Sequence, residues 1–133
     1  MGEYVASQLV KKMIKTKIQI DYADVLVMGF AFKENCPDLR NTKVIDIISS
    51  LKDYNINADV YDPWISPDEA VREYGVNIHN NIPEKKYDAI LFAVAHDEFK
   101  KMTMGEILSL TKSNYFIYDL KYIIDSDLVI ERL

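Results

Sequence analysis

Two cations and the polar residues between them are the part of this chain best suited to bind a charged ligand. Lys33 and Arg40 lie in the segment Gly29–Thr42, which reads GFAFKENCPDLRNT. Arginine can hold a phosphate or carboxylate through two parallel hydrogen bonds, and lysine supplies a compact charge that can reach a substrate oxygen. Spacing alone also allows both to be solvated surface charges, so the fold that positions them decides between the two readings.

The segment lies between a predicted strand and a predicted helix. The continuous apolar run Val25–Met28 predicts a buried parallel strand from about residue 24 to 30. Apolar residues at helical spacing predict a helix from about residue 42 to 52, with Asn41 or Thr42 as its N-cap. The cations therefore leave the carboxyl end of a strand beside a helix amino terminus, where α/β sheets bind anions. The first prediction is a phosphate-bearing ligand.

The rest of the chain alternates between strand and helix patterns. Ser66 and Thr103 each begin a capping box that ends in a glutamate three residues later. Strands are predicted at about residues 58–61, 76–78, 89–94 and 115–118, with helices between them. This alternation predicts an α/β fold with a Rossmann-like, doubly wound, mainly parallel sheet.

A helix is also predicted before the first strand, from Tyr4 to about Ile14. No capping residue precedes it, and nothing upstream would cover its apolar stripe. The pattern predicts either a helix that pairs with another molecule or the end of a longer helix. Because an exposed apolar stripe favours association, we expect self-association through this helix.

Composition excludes several classes of protein. The 133 residues are 49% hydrophobic and carry 16 basic against 21 acidic side chains, which gives a net charge of −5 and argues against a nucleic-acid-binding protein. No run approaches the roughly 18 apolar residues of a membrane span. The lone Cys36 excludes an internal disulfide and favours a reducing, cytoplasmic location. Two histidines without ligand spacing argue against a metal site.

Two common nucleotide motifs are missing. Strand one ends at Gly29, and Phe32 stands where the dinucleotide fingerprint G-x-G-x-x-G would need another glycine. We therefore do not expect this chain to form the primary NAD site. The Walker A motif of ATPases and GTPases is absent as well.

Two residues near the cations have alternative interpretations. Asp38 either orients Arg40 or caps the following helix. Cys36 could be a nucleophile, because a helix amino terminus lowers the pKa of a thiol. Its neighbouring proline and the absence of a nearby histidine in the sequence favour a structural role instead.

Four further residues follow the later strands. Asp62 could bind a ribose or shape the turn at Pro63, and Trp64 could be core or a stacking surface. His96 is interpreted as a hydrogen-bonded loop residue that caps the next helix, with a ligand role as the alternative. His79 is predicted to lie at the surface.

Several segments together resemble one known family. The segment Gly29–Thr42, followed by Tyr61–Trp64, Ala93–His96 and Tyr118–Lys121, resembles the C-terminal, UDP-binding domain of nucleotide-sugar 6-dehydrogenases, the UDP-glucose/GDP-mannose dehydrogenase family, in order and spacing. The resemblance covers about residues 4 to 133. Its ENCPD element is most similar to bacterial and archaeal members that act on UDP-N-acetylhexosamines for surface polysaccharides.

The resemblance implies a division of the chain and an activity. Residues 1–20 would be the C-terminal part of a central helix through which the enzyme forms a homodimer, and residues 21–133 would be the UDP-binding domain. The whole enzyme would oxidise the C6 alcohol of a UDP-sugar to a carboxylate in two NAD-dependent steps, through a thioester on a cysteine.

The resemblance also implies roles for individual residues. Phe32 and Lys33 match residues that contact the UDP-sugar, and Arg40 matches the arginine that reaches across to NAD. The catalytic cysteine and the main NAD site belong to family regions outside this chain, and Cys36 does not match that cysteine, so we expect no catalytic residue here and no activity from this fragment alone. Arg132 is a candidate for a substrate arginine near the C-terminus.

Three alternatives belong to other classes of protein. The chain could be a standalone UDP-binding or assembly module, or a purely structural dimerisation domain that binds no nucleotide. A signalling receiver domain would use Asp62 as phosphoacceptor and Lys121 as its lysine. That class needs an acidic pair after strand one, which residues 29–32 do not supply.

Overall fold

A parallel sheet forms the centre of the chain. The computed structural model describes residues 2–124 and the backbone of residues 131–132. The helices are α1 (Gly2–Lys15), α2 (Val44–Asp53), α3 (Pro67–Tyr74), α4 (Asp97–Lys100) and α5 (Met104–Leu108), and the strands are β1 (Asp24–Met28), β2 (Asn57–Tyr61), β3 (Ile78–His79), β4 (Tyr87–Phe92), β5 (Thr111–Asp119) and β6 (Glu131–Arg132). The strand order is β3-β2-β1-β4-β5-β6 and every pair is parallel. This order is that of the doubly wound Rossmann architecture, so the predicted fold class is confirmed.

The two central strands are buried on both faces, as their apolar runs predict. Residues 25–28 of β1 and 89–92 of β4 are fully buried. Because side chains alternate along a strand, Val25 and Val27 join the core that contains α1 and α2. Leu26 and Met28 join the second core, which contains α4 and α5. Helices therefore cover both faces of the sheet.

The apolar stripe of α1 differs from its expected role. Val5, Leu9 and Met13 are buried within this chain, in the same core as α2 and the centre of the sheet. Asn114 of β5 donates a hydrogen bond to the Thr16 carbonyl at the end of the helix, at 2.7 Å. The expectation of an exposed apolar stripe is therefore wrong, because the sheet and α2 of the same chain cover it. A homodimer does not follow from this stripe.

Strand β1 ends two residues earlier than predicted, at Met28. Gly29 turns the chain with φ at +104°, a conformation that side chains disfavour, and a Cβ there would lie 2.6 Å from Cβ of Val94. The close approach of these two backbones sends the following loop across the end of β4.

The beginning of α2 also differs from the prediction. The N-cap position is Lys43, which makes no side-chain capping bond. The Thr42 hydroxyl instead donates to the Phe30 carbonyl at 2.6 Å and accepts from the Val44 amide at 3.2 Å. Thr42 thus joins the helix start to the loop after β1, one residue before the formal cap.

The later boundaries shift for local reasons. The Thr103–Glu106 capping box has both of its bonds, whereas Ser66 makes only the bond from the Glu69 amide. The third and fourth strands end at His79 and Phe92 rather than at 78 and 94. The fifth begins at Thr111, well before the apolar residues that predicted it, and β6 follows it, so residues 115–118 are not the last strand.

Candidate functional site

A cleft of about 230 Å³ opens at the carboxyl ends of β1 and β4. β1 lies between β2 and β4 in the sheet. The chain passes from β1 to β2 on one side and from β4 to β5 on the other, so the loops after β1 and β4 run in opposite directions. Such a switch point is where doubly wound sheets bind ligands. The cleft is lined by Ala31–Glu34, Lys43, Val44, Ala93–Ala95 and Lys121.

Positive charge dominates this cleft. Lys33, Lys43 and Lys121 all line it and are exposed. Within the residues that the structure describes, none of the three forms an ion pair. Glu34 is the one carboxylate in the lining, so the cleft keeps an excess of positive charge. The amino terminus of α2, at Lys43 and Val44, adds the positive end of a helix dipole. The arrangement suits an anion such as phosphate.

An apolar groove of about 210 Å³ adjoins the cleft. Val5 of α1, Ile47 of α2 and Leu120 line it, and Lys43 and Lys121 belong to both spaces. A ligand that combines a negative group with a flat or apolar group could occupy both. The N-terminal helix therefore contributes to the wall of the candidate site.

Phe32 and Lys33, the residues predicted to bind substrate, lie together at the cleft. Phe32 is 51% exposed although it is a large apolar residue. Its amide donates to the Asp38 carbonyl at 2.7 Å, which closes the loop behind it. The loop thus presents at the cleft an aromatic ring and an ammonium group that forms no ion pair with the residues the structure describes.

Arg40 lies outside the lining of the cleft, in contrast to Lys33. Its side chain is 83% exposed, and Nε and Nη2 donate to the two carboxylate oxygens of Asp38 at 3.1 and 3.3 Å. The hydrogen bonds from the Arg40 side chain and amide hold the pKa of Asp38 below its ordinary value. The interpretation that Asp38 orients Arg40 is confirmed, and Asp38 does not cap α2.

Asp62 and His96 form a buried pair beside the cleft. Both side chains are 0% exposed, and His96 Nε2 lies 3.0 Å from Oδ2 of Asp62. The same oxygen accepts from the amides of Phe30 and Ala31 at 2.7 and 3.0 Å, and Oδ1 accepts from the Trp64 amide at 2.8 Å. Burial would raise the pKa of Asp62, but the hydrogen bonds from His96, Phe30 and Trp64 hold it below its ordinary value.

This pair corrects three interpretations. Asp62 cannot meet a ribose or accept a phosphoryl group, because it is buried and both oxygens are bonded within the chain. The burial of Asp62 therefore excludes the hypothesis of a receiver domain. His96 occupies the N-cap position of α4 but makes no side-chain capping bond, because its ring nitrogens bond to Asp62 and to the Asn35 amide.

The other candidates have simpler surroundings. Trp64 is a partly exposed stacking residue, with its ring 6.0 Å from that of His96 and its Nε1 donating to Glu98. His79 is exposed, as predicted. Cys36 is half-buried, and its thiol is free. Arg132 lies in β6, in register with Asp119, and its side chain is outside the described residues.

Sequence reasoning missed Lys43 and Lys121 as cleft residues. Lys121 follows the carboxyl end of β5, and Lys43 immediately precedes α2, so the rule that ligands bind at this edge could have selected both. The Asp62–His96 pair was also missed. Each residue follows a strand that flanks β1, which is the signal that places the two side chains together over its end.

Two kinds of site are not found in the described part of the chain. No cluster of three ligating side chains there could hold a metal ion. No helix there is long and apolar enough to cross a membrane.

Structural comparison supports the fold. The NDP-N-acetyl-D-galactosaminuronic acid dehydrogenase from Methanosarcina mazei matches 92% of this chain over 26% of its own, with a TM-score of 0.80 at 22% identity. The UDP-D-ManNAc dehydrogenase from Pyrococcus horikoshii matches 98% of this chain over 30% of its own, with a TM-score of 0.74 at 22% identity. At these identities the likeness shows a shared fold.

Sequence comparison identifies the family. Proteins named UDP-N-acetyl-D-glucosamine 6-dehydrogenase from Pseudomonas aeruginosa and Salmonella typhi are 54% and 43% identical over 127 residues, which is 96% of this chain. The chain spans about 30% of the length of these curated relatives. The family model described as "UDP-glucose/GDP-mannose dehydrogenase family, UDP binding domain" matches residues 26–126. The predicted resemblance is confirmed, and this chain belongs to the UDP-glucose/GDP-mannose dehydrogenase family through its UDP binding domain.

Proposed function

We propose that this chain is the UDP-sugar-binding part of an NAD-dependent nucleotide-sugar 6-dehydrogenase that makes precursors of surface polysaccharides. The observation that carries the proposal is the cleft at the ends of β1 and β4, where three lysines meet a helix amino terminus and form no ion pair within the described part of the chain. A diphosphate is the group such a site would neutralise. The names of the relatives support a UDP-N-acetylhexosamine as the sugar nucleotide.

In this proposal Phe32 and Lys33 contact the substrate. The exposed Phe32 ring supplies an apolar surface, and the Lys33 ammonium stabilises negative charge on oxygens at the sugar side. Lys43 and Lys121 add further positive charge to the lining of the cleft. The chain therefore binds and orients the sugar nucleotide, while the thioester-forming cysteine is expected in another region of the enzyme.

This chain fits NAD only as a secondary contact. It lacks the glycine fingerprint, and the buried Asp62 cannot reach a ribose. The exposed Arg40 guanidinium, held in place by Asp38, could pair with a cofactor phosphate across a domain boundary. When bound mainly by the other domain, NAD would accept the hydride that leaves the sugar C6 carbon.

The proposal retains a homodimer and a division of the chain. Residues 1–20 would end a longer helix that joins two subunits, with residues 21–133 as the UDP-binding domain. On α1 the exposed large apolar residues are Tyr4 and Ile14, so the dimer contact would involve these rather than the buried stripe. The cytoplasmic location that the single cysteine favours stays a prediction.

Calorimetric titration with UDP tests the site. Lys33→Ala removes one charge from the cleft, and we expect UDP affinity to fall about tenfold, the usual loss for one charge-assisted hydrogen bond. Lys112→Ala is the matched control, because Lys112 is an exposed lysine paired with Asp24 and Asp88 at the far end of the sheet. Its affinity for UDP should equal that of the wild type. NAD should bind this chain far more weakly than UDP.

The same variant tests the role in the whole enzyme. In a full-length protein, Lys33→Ala should cut turnover strongly and leave the fold intact. Unchanged kinetics would remove Lys33 from the mechanism. If neither this chain nor the full-length protein binds UDP, the chain is a structural module. Its self-association at increasing protein concentration would then be the property to measure.

A further inference from the structure

The imidazole of His96 is held on all sides. Its ring stacks on Trp64, with centroids 6.0 Å apart, and meets the edge of Phe99 at 5.2 Å. Nδ1 accepts a hydrogen bond from the Asn35 amide at 2.9 Å, so the proton of the neutral ring is on Nε2, which donates to Asp62. The ring therefore uses both nitrogens and has no room to turn away.

The two hydrogen bonds of His96 reach both ends of one short loop, one through Asp62 and one directly. Through Asp62 the ring is joined to the amides of Phe30 and Ala31, and through Nδ1 it is joined directly to the amide of Asn35. Phe32 and Lys33, the proposed substrate contacts, lie between these anchored amides. The Lys33 ammonium forms no ion pair within the described residues, and the hydrogen bonds that hold this segment to the buried Asp62–His96 pair are those of the flanking amides.

Of the two anchored ends of the loop, the Asn35 end has the less favourable backbone conformation. Asn35 has φ at +54°, a left-handed conformation that is less favourable for a residue with a side chain. Its Oδ1 accepts from the Asp97 amide at 2.9 Å, at the start of α4. Two bonds thus hold this turn: the Asn35 side chain is fixed to the start of α4, and the Asn35 amide is fixed to the buried His96 ring.

We propose that His96 is a positioning residue that preorganises the Phe32–Lys33 loop for the nucleotide, through its bond to the Asn35 amide. This rests on the proposed function for the affinity it predicts, but the loop geometry stands independently. A loop already held in its binding conformation loses less entropy when ligand binds, so affinity rises without any new contact. Asp62 would then serve mainly the stability of the fold, and His96 both stability and the loop.

Two substitutions separate the two bonds of the ring. His96→Asn places a carbonyl oxygen near the position of Nδ1, so it can still accept from the Asn35 amide but cannot donate to Asp62. His96→Gln places an amide nitrogen near the position of Nε2, so it can still donate to Asp62 but offers no acceptor to Asn35. Each substitution keeps one of the two hydrogen bonds of the imidazole and removes the other, so each variant is the control for the other.

The first measurement is hydrogen exchange at the Asn35 amide in the free protein. In His96→Gln we expect exchange at Asn35 to rise at least about tenfold, because local opening of the loop no longer breaks that bond. In His96→Asn we expect protection at Asn35 to be kept within about twofold, even where thermal stability falls. Equal exchange at Asn35 in both variants would overturn the proposal.

The second measurement is titration of the same proteins with UDP. His96→Gln should bind UDP about five- to tenfold more weakly than the wild type, and His96→Asn should stay within about twofold. Wild-type affinity in His96→Gln despite rapid exchange at Asn35 would overturn the positioning role. A wild type that binds no UDP would instead count against the proposed function, and the exchange experiment would still decide whether His96 holds the loop.

Discussion

The lysines at the two ends of the sheet differ in their ion pairing. At the amino ends of the strands, Lys85 lies 3.0 Å from Asp24 and 3.3 Å from Asp59, and Lys112 lies 3.0 Å from Asp88 and 3.4 Å from Asp24. At the carboxyl ends, the three cleft lysines form no ion pair within the described residues. The same residue type is thus neutralised at one end and left available at the other.

The pKa directions agree with this contrast. At the amino end, burial raises the pKa of Asp24, but the hydrogen bonds and charges of Lys85 and Lys112 bring it below its ordinary value. The hydrogen bond to Asp88 raises the pKa of Lys112. Tyr87 lies in the same network, where burial and its bond to Asp59 raise its pKa. These interactions stabilise the folded chain. The cleft lysines have no such partner among the described residues, so a bound anion explains their position better than fold stability does.

The largest expected effect comes from breaking the buried Asp62–His96 pair at the carboxyl end of the sheet. Asp62→Ala leaves the Phe30, Ala31 and Trp64 amides and His96 without their shared acceptor. A buried donor left without its acceptor costs about 1–3 kcal/mol, so the loss of several should lower the free energy of unfolding by about 3 kcal/mol or more. Urea denaturation measures the loss. Asp62→Asn, which keeps an oxygen acceptor, should lose less, and a cost below about 1 kcal/mol for the alanine variant would contradict the structure.

Acid should act on both ends of the sheet. Because the pKa of Asp62 is lowered in the folded chain, its carboxylate stabilises the fold above its ordinary pKa of about 3.9. That contribution is lost as the pH falls through the lower pKa of the folded state. The contribution of Asp62 to the free energy of unfolding should therefore be nearly constant from about pH 7 to 5 and be lost below about pH 4.

Two variants show which end carries this acid dependence. Asp62→Asn should flatten the fall of stability in acid more than Asp24→Asn, because Asp62 is buried whereas the partners of Asp24 are exposed lysines. Urea denaturation of the three proteins between pH 2 and pH 7 gives the slopes. A steeper dependence in either variant than in the wild type would contradict the pKa directions.

The smallest expected effects on stability come from replacing one exposed lysine at each end of the sheet. The Lys112 side chain is 43% exposed, so Lys112→Ala should reduce the free energy of unfolding by only about 0.2–1 kcal/mol. High salt should remove most of this difference, because it screens exposed charges. Lys33→Ala should leave stability unchanged within about 0.5 kcal/mol. If Lys33→Ala were the more destabilising of the two, the contrast between the ends would be wrong.

The fold was predictable where one local pattern decided the outcome. The apolar runs of β1 and β4 and the capping box at Thr103 each carry their own signal, and the structure agrees with them. The start of β5 carries no such signal, because Lys112, Ser113 and Asn114 are exposed polar residues. The strand there is set by pairing with β4, at Thr111 before them and at Phe116 after them. The cover of α1 was missed for the same reason, since the surfaces that bury it lie far away in the sequence.

The site was predictable in part. Lys33 followed from its position after a buried strand, and the rule for strand ends applied to it directly. The Asp62–His96 pair did not follow, because it is made by two residues 34 positions apart that meet only once the sheet is assembled. Side-chain pairing across strands leaves no periodic pattern in the sequence.

The Asp62–His96 pair also bears on the order in which the chain can fold. The bonds that hold the loop join Phe30 to a carboxylate 32 positions later, and that carboxylate to a ring 34 positions beyond it. Contacts between residues so distant in sequence form slowly, after the intervening segments have collapsed. The loop can acquire its shape only when β2 and β4 both lie beside β1, so a partly folded intermediate that lacks β4 has no binding loop. Formation of the binding loop is then coupled to the pairing of β1 with both β2 and β4.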